Sequence, residues 1–167
     1  MNSNFGHITK MTNKPKGFAN LSRPIDLLFK LRHDRDRMVE NPMDTYAALD
    51  FFVTAEHIVD WQLPDTPSNH KRKERKAFRN SNRLLQITSD IASGAKHFQA
   101  LASHHDSVDG MDNVLGGFDP RSFSPRAFDP RSFQMAGLNV KLNDGSVVHA
   151  LTLADDIIAF WSHELEV

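Results

Sequence analysis

Two histidines and two aspartates stand at helical spacing in this chain. In AEHIVDW, His57 and Asp60 fall one turn apart on a helix. In the stretch SDIASGAKH, Asp90 and His97 are two turns apart, and Arg83 and His104 extend the same interval of seven on either side. Neighbours in that series are separated by about 10 Å along the axis. If two such helices face each other, two imidazoles and two carboxylates can hold Zn, Mn or Fe. The same groups can do metal-free acid–base work, because an imidazole titrates near neutrality. The residues also permit a plainer arrangement, an interhelical polar network joining Asp60 to Arg83 or His57 to Asp90. The spacing specifies no particular metal and calls for no cofactor.

Phosphate binding is the second chemistry in view. The block Lys71, Arg72, Lys73, Arg75, Lys76, Arg79 and Arg83 sets seven bases against Glu74, whereas residues 41–66 carry Asp44, Asp50, Glu56, Asp60 and Asp65 and no Lys or Arg. A formal net charge of -1 therefore conceals adjoining blocks of opposite sign. Positive charge near a helix N-terminus opposes the helix dipole and needs compensation. Asp60 and Asp65 of the preceding helix can supply it in an antiparallel hairpin. RNA or DNA phosphates can also supply it, with Lys10, Lys14 and Lys16 adding to the same surface.

The third motif is FDPRSFSPRAFDPRSF over residues 118–133, nearly one unit written three times. Asp-Pro and Ser-Pro open type I turns, so each unit is a turn presenting its Phe in an equivalent place. Phe118, Phe123, Phe128 and Phe133 are then expected to dock on the bundle as a strap, with Arg121, Arg126 and Arg131 facing water or surface acids. A recognition arm offering Arg and Phe to phosphates and bases is the alternative, and a linker the third. Pentapeptide-repeat architecture is excluded, because those three arginines occupy the position that would face its narrow interior. A HEPN-type ribonuclease is also excluded: Arg79-Asn80-Ser81-Asn82-Arg83 leads to Leu84 where a His is required. P-loop, GxSxG, HExxH and dinucleotide fingerprints are absent.

The elements that must position these residues are mostly helices. The first is expected to start after Ser22 with Pro24 in its first turn and to run to about Glu40. Asn41 and Pro42 read as cap and first turn of a second helix ending near Gln62. A third helical stretch covers 73–105, with a division at Asn80-Ser81-Asn82, and 106–117 reads as loop. Ala48, Phe51, Phe52, Ala55, Ile58 and Val59 form the apolar stripe of the second helix. Tyr46, Asp50, Val53, His57, Asp60 and Trp61 make a second face, expected to be partly buried. Leu84, Ile87, Ile91, Ala95, Phe98 and Ala102 are the core stripe of the third stretch. Residues 135–142 and 146–151 alternate as strands around Asn143-Asp144-Gly145, a tight-turn signal. Thr152-Leu153-Ala154-Asp155 reads as a capping box for a last helix with Ile157, Ile158, Phe160, Trp161 and Leu165 inward.

The expected fold is mainly α: a helical bundle with one small C-terminal β-hairpin and a Phe-repeat strap. An irregular arm over 1–20 precedes a single helical domain over 21–167. The absence of cysteine excludes disulfides and thiolate metal sites and suits a reducing compartment. Without a signal-peptide h-region or the roughly 20-residue apolar run of a membrane span, a cytoplasmic protein with no membrane partner is expected.

AEHIVDW, DIASGAKHF, the Phe-ending pentads, the Asp-Gly hairpin and the terminal Phe-Trp helix together resemble small bacterial proteins of uncharacterised function. The likeness spans most of 47–161 and points to Asp60, Trp61, Lys96 and His97 as positions of interest. The functional expectation is a binding or accessory protein acting by surface recognition, with RNA or DNA the leading partner. An enzyme built on His57, Asp60, Asp90 and His97 is the alternative. A protein-binding inhibitor or immunity factor using the acidic patch or the repeat is the third. Oligomeric state is left open by the sequence.

Overall fold

Pro24 opens α1 (Pro24–Glu40), at the position where its missing N–H is not needed. The Asp26 carboxylate takes the amides of Ser22 at 3.0 Å and Arg23 at 2.9 Å, closing the helix start. The computed structural model describes residues 17–66, 69–97, 106–114, 117–118, 133–134 and 136–167, without the side chains of 96–97, 117–118 and 133–134. Residues 1–16 of the expected arm over 1–20 and the repeat interior over 119–132, with Arg121, Arg126 and Arg131, lie outside the described residues. The docking of the strap therefore lies outside them too.

The second helix begins later than Asn41-Pro42 suggests. Asn41 closes α1 by donating its N–H to Arg37 O at 3.0 Å. Asp44 caps α2 (Thr45–Gln62), its Oδ1 accepting the amides of Tyr46 at 2.9 Å and Ala47 at 3.1 Å. A carboxylate that reaches two orphan amides outcompetes a proline signal two residues earlier. The predicted apolar stripe of α2 is buried throughout, joined by Ala47 and Thr54.

The third stretch divides where Asn80-Ser81-Asn82 predicts, into α3 (Arg72–Asn80) and α4 (Arg83–His97). Ser81 Oγ donates to Phe78 O at 2.8 Å, and Asn82 Oδ1 accepts the Leu84 amide at 2.8 Å, so one helix is closed as the next is capped. The buried face of α4 carries Leu85, Ile87, Thr88, Asp90, Ile91 and Ala92. It is rotated from the predicted stripe, leaving Leu84 half-buried and Ala95 exposed; Phe98 and Ala102 lie outside the described residues.

Residues 106–117, expected as loop, contain a strand. β1 (Val108–Val114) pairs antiparallel with β4 (Gly137–Leu142), with a register irregularity between Val108 and Gly110. VDGMDNV has little strand propensity of its own, and its extended form comes from the ladder with β4. β5 (Val147–His149) completes a sheet of order β1-β4-β5. The predicted Asn-Asp-Gly turn joins β4 to β5, with Gly145 at φ +82 and its amide donating to Leu142 O at 3.0 Å. β2 (Gly117–Phe118) and β3 (Phe133–Gln134) pair antiparallel, bringing together the backbone at the two ends of the Phe repeat.

The last helix starts earlier than the Thr152 signal. His149 caps α5 (Ala150–Glu164), its Nδ1 accepting the Leu151 amide at 3.3 Å. β5 is accordingly shorter than expected, and Thr152–Asp155 lies inside the helix. Leu153, Ala154, Ile157 and Trp161 of α5 join the core formed by α1, α2, α4 and β4, with Ile158, Phe160 and Leu165 half-buried around it. Phe78 is the apolar anchor of α3, 6.0 Å from the Trp161 ring. The mainly helical reading with a C-terminal hairpin is borne out, and the hairpin carries an additional strand. No helix among the described residues is long and apolar enough to cross a membrane.

Candidate functional site

Arg75 and Arg79 are one turn apart on α3, as are Glu56 and Asp60 on α2. The two helices lay these pairs against each other as a ladder. Arg79 Nε stands 2.6 Å from Glu56 Oε1, an ion pair without hydrogen-bond alignment, while its Nη2 donates to Asp60 Oδ1 at 3.1 Å. Arg75 Nε lies 3.2 Å from Asp60 Oδ1. Its Nη1 donates to Asp65 Oδ1 and to Leu63 O, each at 3.0 Å. Asp65 also accepts the Lys71 amide at 2.7 Å, so one carboxylate serves the helix start and its cations. The arginine and then that amide hold its pKa below the ordinary value.

Much of the basic block is thereby neutralised inside the fold. Lys71 pairs with Glu74 at 2.6 Å. Arg83 does not meet Asp60. It donates to Ser107 Oγ at 3.0 Å and Asn143 Oδ1 at 2.6 Å, tying α4 to the turn between β4 and β5. Arg72, Lys73 and Lys76 are left exposed, with no acidic partner among the described residues. At 100° per residue these three span an arc of about 100° on α3 that adjoins the arc carrying Arg75 and Arg79, with Arg72 only about 20° from Arg79. α3 buries none of its residues, which keeps that outer arc in water.

His57 and Asp60 open on a cleft of about 530 Å3 between α2 and α4, walled also by Leu49, Asp50, Val53, Glu56, Ala92, Ser93 and Ala95. His57 is exposed and makes no hydrogen bond or ion pair among the described residues. Asp50 is held by Arg37 Nη1 at 2.9 Å. Glu56 is the deepest ionisable group of this cleft, its side chain 18% exposed. Burial pushes its carboxyl pKa up to about 7, more than Arg79 beside it pulls the value down. A carboxyl near 7 in a cleft can give or take a proton at neutral pH.

Asp90 turns elsewhere. It is buried, its Oδ2 accepts the Ser107 amide at 2.7 Å, and it lines a neighbouring cavity of about 580 Å3 between α2, α4, β1 and β4. It pairs with a backbone amide where the polar-network reading had expected His57. The side chains of His97 and Lys96 lie outside the described residues, and Trp61 packs half-buried against the core. The predicted four-residue site is thus represented by His57 and Asp60 in one cleft and Asp90 in the adjoining cavity. Among the described residues, no group of three or more His, Asp or Glu is placed to hold a metal ion.

Glu56 and Ser93 were missed by spacing alone. Glu56 had a signal in the sequence, since it directly precedes His57 and stands one turn before Asp60. Ser93 had none, because its relevance depends on which face α4 turns toward α2. Tyr46, expected to be partly buried on the second face of α2, is 77% exposed. Compared with known proteins, the chain matches no family model, no curated protein and no solved structure.

Proposed function

We propose that the chain is a small binding or accessory protein that recognises nucleic-acid phosphates through the outer arc of α3. The observation that carries this reading is the division of one basic block into bases consumed by acids and bases left exposed. Arg75 and Arg79 are consumed by Asp60, Asp65 and Glu56, whereas Arg72, Lys73 and Lys76 point to water without acidic partners among the described residues. Three unpaired bases on one arc of a helix can straddle adjacent phosphates. Each neutralised phosphate contributes about 0.9 to the slope of log K against log salt on duplex DNA. The test is binding of a short RNA and a short DNA duplex across a salt series, with a chain carrying Arg72→Ala, Lys73→Ala and Lys76→Ala beside the wild type. The expected result is salt-sensitive binding whose slope falls by about 3 in the triple variant. No binding at low salt, or an unchanged slope, removes the proposal.

A second reading rests on the cleft between α2 and α4. Glu56, with its pKa near 7, and exposed His57 share that cleft with Asp60 and Ser93. In this reading Glu56 exchanges the proton, His57 supplies the second acid–base group and Arg79 positions the Glu56 carboxylate. Hydrolysis of a small ester or phosphate panel that vanishes in both Glu56→Gln and His57→Ala would favour it over surface recognition. Activity that survives both substitutions eliminates it.

A further inference from the structure

We propose that the cavity between α2, α4, β1 and β4 binds a small, neutral, apolar molecule. This goes beyond phosphate recognition by α3 and stands independently of it. The cavity holds about 580 Å3, within the range of small-molecule sites. Phe52, Ile91, Val108, Met111 and Leu138 supply apolar wall from every element that borders it.

Two glycines on facing walls keep the space open. Gly94 on α4 and Gly110 on β1 both line it, and a Cβ added to either would meet no atom of the described residues within 4 Å. Neither has a positive φ, so backbone conformation does not require glycine there. Glycine inside a helix or strand weakens the element relative to alanine, and among the described residues no close approach of a neighbour offsets that loss at either position. Ala48 and Ala95 continue the same small-residue lining. An opening of this size, apolar and left unfilled where methyl groups would fit without strain, matches a ligand site better than a packing fault.

The polar groups on the wall select against charge. Asp90 and Asp109 both border the cavity and repel an anion. Asp90 accepts the Ser107 amide at 2.7 Å, and a cation drawn toward it would be stripped of water among apolar walls. A neutral ligand avoids both costs, and Thr45 can give it one hydrogen bond.

The test uses the full chain and N-phenyl-1-naphthylamine as a neutral fluorescent probe, with 1-anilinonaphthalene-8-sulfonate as its anionic counterpart. The neutral dye is expected to bind saturably at one site, at least tenfold more tightly than the anion. Gly94→Leu and Gly110→Leu, each placing a side chain in open space, are expected to weaken that binding at least tenfold without loss of helical circular dichroism. A readout that needs no folded variant is the Met111 methyl resonance in methionine-labelled protein, expected to shift on saturation with the dye. Absence of saturable binding, an anion bound as tightly as the neutral dye, undiminished binding in the folded Leu variants, or a Met111 methyl that does not move would each overturn the proposal.

Discussion

Glu56 concentrates the chemistry of this molecule in one side chain. Its neighbours are Arg79 at 2.6 Å, Asp60 and Ser89, yet burial outweighs the arginine and lifts its pKa from 4.5 to about 7. Between those pH values the folded chain keeps a proton that the unfolded chain has released. Stability therefore falls as pH rises through that window and levels off above it. Glu56→Gln is expected to flatten this decline and to raise stability near pH 8 by about 2–3 kcal/mol, read by urea unfolding across pH. Trp161 raises a different question at the same scale. It is fully buried, and its Nε1 has no hydrogen-bond partner among the described residues. Trp161→Phe loses ring area but also removes an unsatisfied donor, so it is expected to cost about 1 kcal/mol, against about 3–5 kcal/mol for Trp161→Ala. Equal losses in the two variants would show that the indole N–H carries no penalty.

α3 shows how a short element can serve two masters. It has no fully buried residue and is fastened by Phe78 against α5 and by two arginines against α2. Arg79→Ala leaves Glu56 buried without its cation. The loss of stability is expected to be about 1–3 kcal/mol larger near pH 8, where Glu56 is ionised, than near pH 5, where it is protonated. Replacing Arg72, Lys73 and Lys76 on the adjoining, exposed arc is expected to change stability by no more than about 0.5 kcal/mol each in thermal unfolding. The contrast was only partly legible in the sequence. The basic block and its compensation by Asp60 and Asp65 could be read from charge order. Which bases are consumed could not, because that depends on the rotation of α3 about its axis. On α4, Arg83 and Asp90 do share the flank that their interval of seven suggested, but that flank meets Ser107, and Arg83 also meets Asn143, where charge order had offered Asp60.

At the scale of the whole molecule, Gly137 marks the junction that the sequence concealed. Its φ is +144, and a Cβ there would stand 2.6 Å from His149 Nε2 and 3.2 Å from Pro42 O. β4, the cap of α5 and the turn between α1 and α2 therefore converge on a position that strongly favours glycine. Gly137→Ala is expected to cost about 1–3 kcal/mol in urea unfolding, through strained backbone and displacement of the His149 ring. Unchanged stability would mean that this junction yields freely. By itself the sequence determined the helices, the break at Asn80-Ser81-Asn82, the apolar stripe of α2 and the Asn-Asp-Gly hairpin. Each is encoded within a few residues, by hydrophobic periodicity, side-chain caps or a glycine turn. Only the tertiary structure decided that VDGMDNV becomes a strand, that Asp90 parts from His57 and that Glu56 is buried deeply enough to hold a proton near neutrality. A strand without its own propensity needs its partner, the direction of a side chain needs its helix docked, and a desolvation shift needs the walls that exclude water.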